Sequence, residues 1–118
     1  MPDRFKICTT CAHVWETRQS FLADPAVELV GYQANCVILT EGLFLFSHLA
    51  PDCLTTLGLP ARVFADLYDG PIFAERLRNT PACAGHCLHQ DDLDPCPNRC
   101  ECAFVREIIQ VVKSWPKR

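Results

Sequence analysis

The sequence predicts a small α+β fold: an antiparallel sheet packed by two or three helices, with a Cys-rich metal-binding segment towards the C-terminus. Three observations support this. Apolar runs of strand length, separated by turns, fill about the first 60 residues. Helical patterns follow. Nine of the 118 residues are cysteines, and five of these lie between Cys83 and Cys102.

The N-terminal half, about residues 1–60, carries the predicted strands. Residues 7–15 are typical of a tight turn that leads into a strand, and Val27–Ala34 is rich in β-forming residues. Leu43–His48 is a continuous apolar run, and Leu54–Leu59 is a further strand candidate. Since only about five loop residues separate these two runs, we expect them to form a hairpin.

The C-terminal half, about residues 61–118, carries the predicted helices and the cysteine cluster. Pro60 fits a first helical turn, and the apolar spacing that follows predicts a helix ending at Gly70. Residues 71–79 are a candidate second short helix. Asn98 is the expected N-cap of a final helix, which ends before Pro116. Its apolar stripe consists of Phe104, Val105, Ile108, Ile109, Val111, Val112 and Trp115. A chain of this length is expected to be one domain, residues 1–118.

The cysteine content also raises the possibility of a secreted disulfide scaffold. The first thirty residues contain charges and no unbroken apolar stretch, so we expect no signal peptide. The number of cysteines is odd, and they lie in closely spaced pairs, which suits metal binding in a reducing compartment. No apolar run reaches the length of about 18 residues that a membrane span needs. We therefore expect a cytoplasmic protein without a membrane partner.

The net charge makes nucleic acid an unlikely partner class. The chain carries a formal charge of −3. A zinc site with three thiolates and one histidine adds −1 and a four-thiolate site adds −2, giving about −6 with both sites loaded. Nucleic-acid binding relies on Lys and Arg that neutralise phosphates. A local basic patch is conceivable, although a solvated helix end explains the same residues: Arg106, Lys113, Lys117 and Arg118.

The first candidate metal site starts from Cys8-Thr-Thr-Cys11. This spacing wraps a tight turn around one ion, with backbone amides pointing at the sulfurs. His48 and Cys53 stand at the two ends of the predicted hairpin loop, and strand pairing would bring them together. Three cysteines and one histidine form a common closed zinc site. His13 is a competing ligand, although its position favours exposure to solvent.

These residues resemble those of the zinc-ribbon (rubredoxin-like) group. The resemblance covers about residues 7–60 and consists of Cys8-Thr-Thr-Cys11, the nearby Trp15 and the later pair of His48 and Cys53. The later pair departs from the CxxC knuckle that is usual in the group. Membership would imply a zinc-ribbon-like sheet, a structural zinc ion and a binding or adaptor role without a fixed chemistry.

The second candidate metal site is a pair of CxxxC motifs, formed by Cys83, Cys87, Cys96 and Cys100. If the final helix begins at Asn98, Cys100 and Cys102 point in different directions, and Cys100 is the favoured ligand. If the helix begins later, Cys102 can replace Cys100. Four thiolates suit zinc or an iron–sulfur cluster, and the absence of closely repeated CxxC pairs favours zinc. Further residues considered as ligands are His86, His89, Asp91, Asp92 and Asp94.

No motif predicts catalysis. The sequence lacks a Gly-rich phosphate loop, HExxH and GxSxG, and Cys36 has apolar neighbours that suggest an inert thiol. Because Ala12 separates Cys11 from His13, covalent haem attachment is excluded, and a thioredoxin-like site would need a helix after Cys11. The favoured function is a non-catalytic zinc-binding structural or interaction module with two ions and a protein partner. The alternative is an iron–sulfur redox or sensor protein that uses Cys83–Cys102.

Overall fold

The fold of the chain is α+β with antiparallel sheets, as predicted. The computed structural model describes residues 5–35, 37–50, 53–73, 80, 81, 85, 89–96 and 100–117. In that part of the chain the strands are β1 Lys6–Ile7, β2 Val14–Trp15, β3 Val27–Gln33, β4 Leu43–His48 and β5 Thr55–Pro60. The α-helices are α1 Arg18–Ala23 and α2 Ala103–Lys113, and 3₁₀ turns cover Leu39–Glu41, Ala61–Val63 and Ala65–Leu67.

The larger sheet is a three-stranded meander in the order β3-β4-β5. The predicted hairpin of the two later strands is confirmed, with His48 paired to Thr55 and Leu43 paired to Pro60. Along β4 the side chains alternate between half-buried and buried, as the period of a strand requires. His48 therefore points to the same buried face as Phe44 and Phe46.

An aromatic core fills the space behind this face. The ring of Phe21 meets that of Phe46 edge-on at 4.9 Å, and Phe44 stacks on Phe64 at 5.5 Å. The apolar stripe of α2 completes the core, since Ile108 and Ile109 are fully buried. The predicted stripe is largely confirmed, although Val111 and Trp115 are only half-buried.

Helix α1 was not predicted. Its N-terminus is a capping box, in which the amide of Ser20 donates to Thr17 Oγ1 at 3.0 Å and the amide of Thr17 donates to Ser20 Oγ at 3.2 Å. The sequence signal was the pair of hydroxyl residues at this spacing, with Ser20 in place of the usual Glu or Gln.

The expected helix from Pro60 to Gly70 is wrong. Two 3₁₀ turns replace it, because the amide of Leu67 donates to the carbonyl of Phe64 at 3.0 Å, an i to i−3 bond. The carbonyl of Val63, which a helical Leu67 amide would use, instead accepts a 3.0 Å bond from the Arg18 guanidinium. Residues 71–73 are not helical, and the rest of the predicted helix 71–79 lies outside the described residues.

The final helix begins later than predicted. Its first residue is Ala103 and Cys102 is its N-cap, whereas the predicted cap, Asn98, lies outside the described residues. Cys100 and Cys102 therefore precede the helix. The two cysteines do not lie on a helical turn that would point them in different directions.

The segment before α2 packs along the edge of the larger sheet. The amide of Tyr32 in β3 donates to the carbonyl of Gln90 at 2.7 Å. A side chain at Gly31 would bring a Cβ within 3.1 Å of that same carbonyl oxygen. The close approach of two backbones explains the glycine that interrupts this β-rich run.

Two residues of the conceivable basic patch, Lys113 and Lys117, line one cavity, whereas Arg106 does not reach the surface. Arg106 is fully buried, and the Lys117 ammonium donates 2.7 Å bonds to the carbonyls of Leu22 and Val27. Lys113 is exposed, and Arg118 lies outside the described residues. Among the helices that the structure describes, none combines the length and apolar character that crossing a membrane requires.

Candidate metal centre

The turn between β1 and β2 presents Cys8 and Cys11. Its two short strands pair Ile7 with Val14. The amide of Cys8 donates to the carbonyl of His13 at 2.8 Å, and the amide of Ala12 donates back to the carbonyl of Cys8 at 3.0 Å. Ala12 has a φ of 65°, in the left-handed region. The backbone is therefore folded tightly enough to turn both sulfurs to one side.

The loop between β4 and β5 presents the other two residues. His48 is the last residue of β4, and Cys53 stands just before β5. The amide of Cys53 donates to the carbonyl of Ala50 at 3.1 Å, and Leu54 has a φ of 53°. A residue in the left-handed conformation therefore follows each pair of cluster residues, Ala12 after Cys11 and Leu54 after Cys53. Glycine adopts this conformation most easily, but neither residue is a glycine.

The structure brings the predicted set of four together. One ligand atom from each of Cys8, Cys11, His48 and Cys53 lies within 4.8 Å of all the others. The sulfurs of Cys8 and Cys53 are 3.5 Å apart, and the Cys11 sulfur is 3.6 Å from His48 Nδ1.

These distances suit one tetrahedral ion. With Zn–S bonds of about 2.3 Å and a Zn–N bond of about 2.0 Å, two sulfurs lie about 3.8 Å apart and a sulfur and a nitrogen about 3.5 Å. A disulfide would need about 2.0 Å between the sulfurs, and Cys8, Cys11 and Cys53 are free thiols. This Cys3His group could therefore hold a metal ion.

Aromatic rings and one hydroxyl pair fix the two loops against each other. The ring of Trp15 meets that of His48 edge-on at 4.8 Å, and its indole N–H donates to Asp24 Oδ2 at 2.9 Å. The hydroxyl of Thr55 is hydrogen-bonded to that of Thr10. These contacts hold the β1–β2 turn against the β4–β5 loop, and none of them involves the four atoms that would bind the metal.

The electrostatics of the cluster favour a bound cation. Burial opposes ionisation of Cys8, but hydrogen bonds from the backbone of Cys11 and Thr10, and from the side chains of His48 and Cys53, lower the pKa of this thiol to about 6. At Cys11 a backbone hydrogen bond from His13 lowers the pKa, but partial desolvation and the sulfurs of Cys8 and Cys53 outweigh it, so the pKa is raised. A divalent cation relieves this mutual repulsion.

The four residues differ in their access to solvent. Cys8 and His48 are each only 2% exposed, Cys53 is half-buried and Cys11 is exposed. His13, the competing ligand, is also exposed and lies outside the cluster, with its ring 5.7 Å from that of His48. The cluster has its open side at Cys11, while its inner side is the aromatic core.

The second candidate site is described only in part. Cys83 and Cys87 lie outside the described residues, as does His86, so their ligand roles stay predictions. Cys100 is buried and Cys96 and Cys102 are half-buried, and all three are reduced thiols. The sulfurs of Cys100 and Cys102 are 3.5 Å apart. Cys96 and Cys100 both lie outside the helices that the structure describes, so the choice of Cys100 over Cys102 as a ligand stays a prediction.

The remaining residues considered in the sequence have no place in the Cys3His group. His89 and Asp91 are exposed, and Cys36 lies outside the described residues. A helix does follow Cys11, contrary to expectation, but α1 begins seven residues later, and Cys11 does not stand at a helix start. Sequence reasoning overlooked Arg106, which was assigned to a solvated helix end and is fully buried. Its signal was its place beside Val105 within the helical apolar stripe.

Comparisons with known proteins give no match to this chain among family models, curated proteins or solved structures. The likeness to a zinc ribbon therefore rests on the residues and geometry described above.

Proposed function

We propose that this protein is a non-catalytic, zinc-stabilised interaction module, zinc-ribbon-like in residues 7–60 and folded as one domain. The observation that carries the proposal is the Cys3His group, in which four ligand atoms from two distant loops meet within 4.8 Å. One zinc ion is held by Cys8, Cys11, His48 and Cys53. A second is held by the Cys-rich segment that contains Cys83, Cys87, Cys96, Cys100 and Cys102.

The ligand set supports a structural role for the first ion. Structural zinc sites are closed by four protein ligands, whereas catalytic ones keep a position for water or substrate. Three sulfurs and one nitrogen fill the tetrahedron, and among the described residues this group includes no carboxylate that could serve as a base. The ion would join the β1–β2 turn to the β4–β5 loop and so replace part of a small hydrophobic core.

The backbone beside the site supports an interaction role. Leu54 directly follows Cys53, has a φ of 53°, and is 75% exposed. A leucine in this conformation is strained by about 1–2 kcal/mol, and its exposed side chain gains nothing from the core. Such locally unfavourable positions are typical of functional surfaces. Leu49, which follows His48, is also exposed. We propose a protein partner that contacts this loop.

Metal analysis of protein purified without oxygen tests the proposal. We expect a colourless protein with two zinc ions per chain. Cys8→Ser and Cys53→Ser should each remove one ion and leave the other in place, and His13→Ala is the matched control that keeps both. A brown protein with visible absorption would instead favour the iron–sulfur alternative at the second site. Wild-type protein that keeps its native fold after complete removal of metal would contradict the proposal.

A further inference from the structure

Cys11 is the exposed member of the Cys3His group. Cys8 is only 2% exposed and Cys53 is half-buried, whereas Cys11 is open to solvent. The inner side of the group is closed by the aromatic core, where the ring of Trp15 meets that of His48 at 4.8 Å. A small molecule in the solvent therefore reaches this group first at the Cys11 sulfur.

A second sulfur lies within reach of Cys11. All ligand atoms of the group lie within 4.8 Å of one another, so a movement of at most about 2.8 Å would bring the sulfurs of Cys8 and Cys11 to the length of a disulfide bond. Both residues belong to one turn, which is folded by the backbone bonds from Cys8 to His13 and from Ala12 to Cys8. Cys53 lies on a separate loop. Cys8 is therefore the thiol that stays beside Cys11 whether or not a metal is bound.

Metal binding makes the exposed sulfur a target for oxidants. A thiol that coordinates zinc is deprotonated, and the thiolate is the form that hydrogen peroxide attacks. Cysteines that sense oxidants are thiolates, are accessible to solvent, and stand next to a second thiol. With zinc bound, Cys11 combines all three properties, because it is exposed and Cys8 lies beside it.

We infer that the Cys3His group is a peroxide-sensitive switch, in which Cys11 is oxidised first and a disulfide between Cys8 and Cys11 then releases the zinc ion. The inference rests on the proposed function and names how that site is regulated. Only thiolates bind zinc, so His48 and Cys53 would be the ligands that remain. The ion would no longer join the β1–β2 turn to the β4–β5 loop, which carries the exposed Leu54.

The two steps balance in atoms and electrons. In the first step the Cys11 thiolate attacks hydrogen peroxide, the O–O bond breaks, an S–O bond forms and hydroxide leaves. In the second step the Cys8 thiolate attacks the Cys11 sulfur, an S–S bond forms, the S–O bond breaks and a second hydroxide leaves. Protons from the solvent convert both hydroxides to water. The two sulfurs together lose two electrons, which reduce one molecule of peroxide.

A tryptic digest of full-length, zinc-loaded protein tests the disulfide after brief exposure to hydrogen peroxide and alkylation of the free thiols. Trypsin cleaves after Lys and Arg, which leaves Cys8 and Cys11 together on peptide 7–18 and Cys53 on peptide 19–62. We expect peptide 7–18 to lose two hydrogens in step with the release of one zinc ion, and dithiothreitol with added zinc to restore both. Peptide 7–18 linked to peptide 19–62 would overturn the inference. Peptide 7–18 that stays reduced while the ion of the Cys3His group is lost would overturn it as well.

A matched pair of variants tests the role of the exposed sulfur. Cys11→His and Cys53→His both leave two sulfurs and two nitrogens, a set that also binds structural zinc, but only Cys53→His keeps Cys11. At a peroxide exposure that empties the Cys3His group of wild-type protein, Cys11→His should hold one zinc ion more than wild type. Cys53→His should lose its ion as fast as wild type. Equally fast loss from both variants would refute the role of Cys11, and the wild-type digest decides by itself if either variant binds no zinc before treatment.

The zinc content before treatment separates this inference from the proposed function. Untreated wild-type protein should contain one ion that Cys8→Ser removes. The absence of that ion would refute the proposed function. An ion that is present, and that survives peroxide while peptide 7–18 stays reduced, would refute the switch and leave the proposed function intact.

Discussion

The indole ring of Trp15 meets the imidazole of His48 edge-on, with the ring centres 4.8 Å apart. One wall of the Cys3His group is therefore a tryptophan that is only 2% exposed and donates its N–H to Asp24. This contact joins the side chain of His48, a member of the cluster, to the aromatic core. A change in the cluster should alter the surroundings of the indole.

Trp15 should consequently report metal release. Trp115→Phe leaves Trp15 as the sole tryptophan, because the chain has two. A strong chelator should then shift its emission to longer wavelength in parallel with zinc loss, as the buried ring gains water. Added zinc should restore the original spectrum. An emission maximum that stays constant while the zinc content of the Cys3His group falls to zero would contradict this coupling.

Cysteine should replace His48, whereas alanine should not. The ring presents Nδ1, the nitrogen nearer the backbone, at 3.6 Å from the Cys11 sulfur, and a cysteine sulfur at position 48 has nearly the same reach. We expect His48→Ala to lose one zinc ion and more than about 3 kcal/mol of unfolding free energy, since metal binding is coupled to folding. His48→Cys should retain the ion, as measured by metal analysis and chemical denaturation.

His13→Ala provides the comparison for both variants. This histidine is exposed and lies outside the cluster, so its removal should leave the zinc content unchanged. If His13→Ala lost zinc while His48→Ala retained it, the nitrogen ligand would be His13 and not His48.

Glycine should be favoured at position 12. Ala12 has a φ of 65°, and this conformation costs a non-glycine residue about 1–2 kcal/mol. A glycine would avoid that cost, but it would lose about 0.5–1 kcal/mol more chain entropy on folding. Ala12→Gly should therefore stabilise the protein by up to about 1 kcal/mol, and Ala12→Val should destabilise it. Denaturant unfolding at saturating zinc measures both changes.

A helical alanine supplies the control for position 12. Ala23→Gly, in α1, should destabilise the protein by about 0.5–1 kcal/mol. If Ala12→Gly were destabilising to the same extent as Ala23→Gly, the left-handed turn after Cys11 would be absent in solution.

The salt bridge between Arg18 and Asp66 should make a small, pH-dependent contribution to stability. Hydrogen bonds of 2.5 and 3.0 Å from the guanidinium hold the pKa of the Asp66 carboxyl below its usual range. The contribution is therefore present above the pKa of an unfolded aspartate, about 3.9, and is lost as the pH falls through the lower folded-state value.

The difference in Tm between wild-type protein and Asp66→Asn measures this contribution. Both proteins keep the same metal ligands, so acid-induced metal release affects them alike. The difference should be present at pH 7 and should shrink below about pH 4. Asp69→Asn, at an exposed aspartate outside the ion pairs described above, should show no such trend. A difference that grows with falling pH would have the wrong sign.

The strands and each half of the Cys3His group could be predicted because their signals are local. The apolar run Leu43–His48, the turn after it and the second run define one hairpin, and the hairpin alone brings His48 towards Cys53. The CxxC spacing likewise defines one turn. The 3₁₀ turns after Pro60 could not be predicted in this way, since the Val63 carbonyl is bonded by Arg18, which lies 45 residues away.

By itself, the sequence determined the α+β class, the hairpin and the four residues that meet at the first site, since apolar runs of strand length and closely spaced cysteines specify structure over a few residues. Only the tertiary structure decided that Arg106 is buried, that α2 begins at Ala103 and that the sulfurs of Cys100 and Cys102 lie side by side. These features depend on how the segment before α2 packs along β3. Such packing joins residues far apart in the chain, and no short stretch of sequence encodes it.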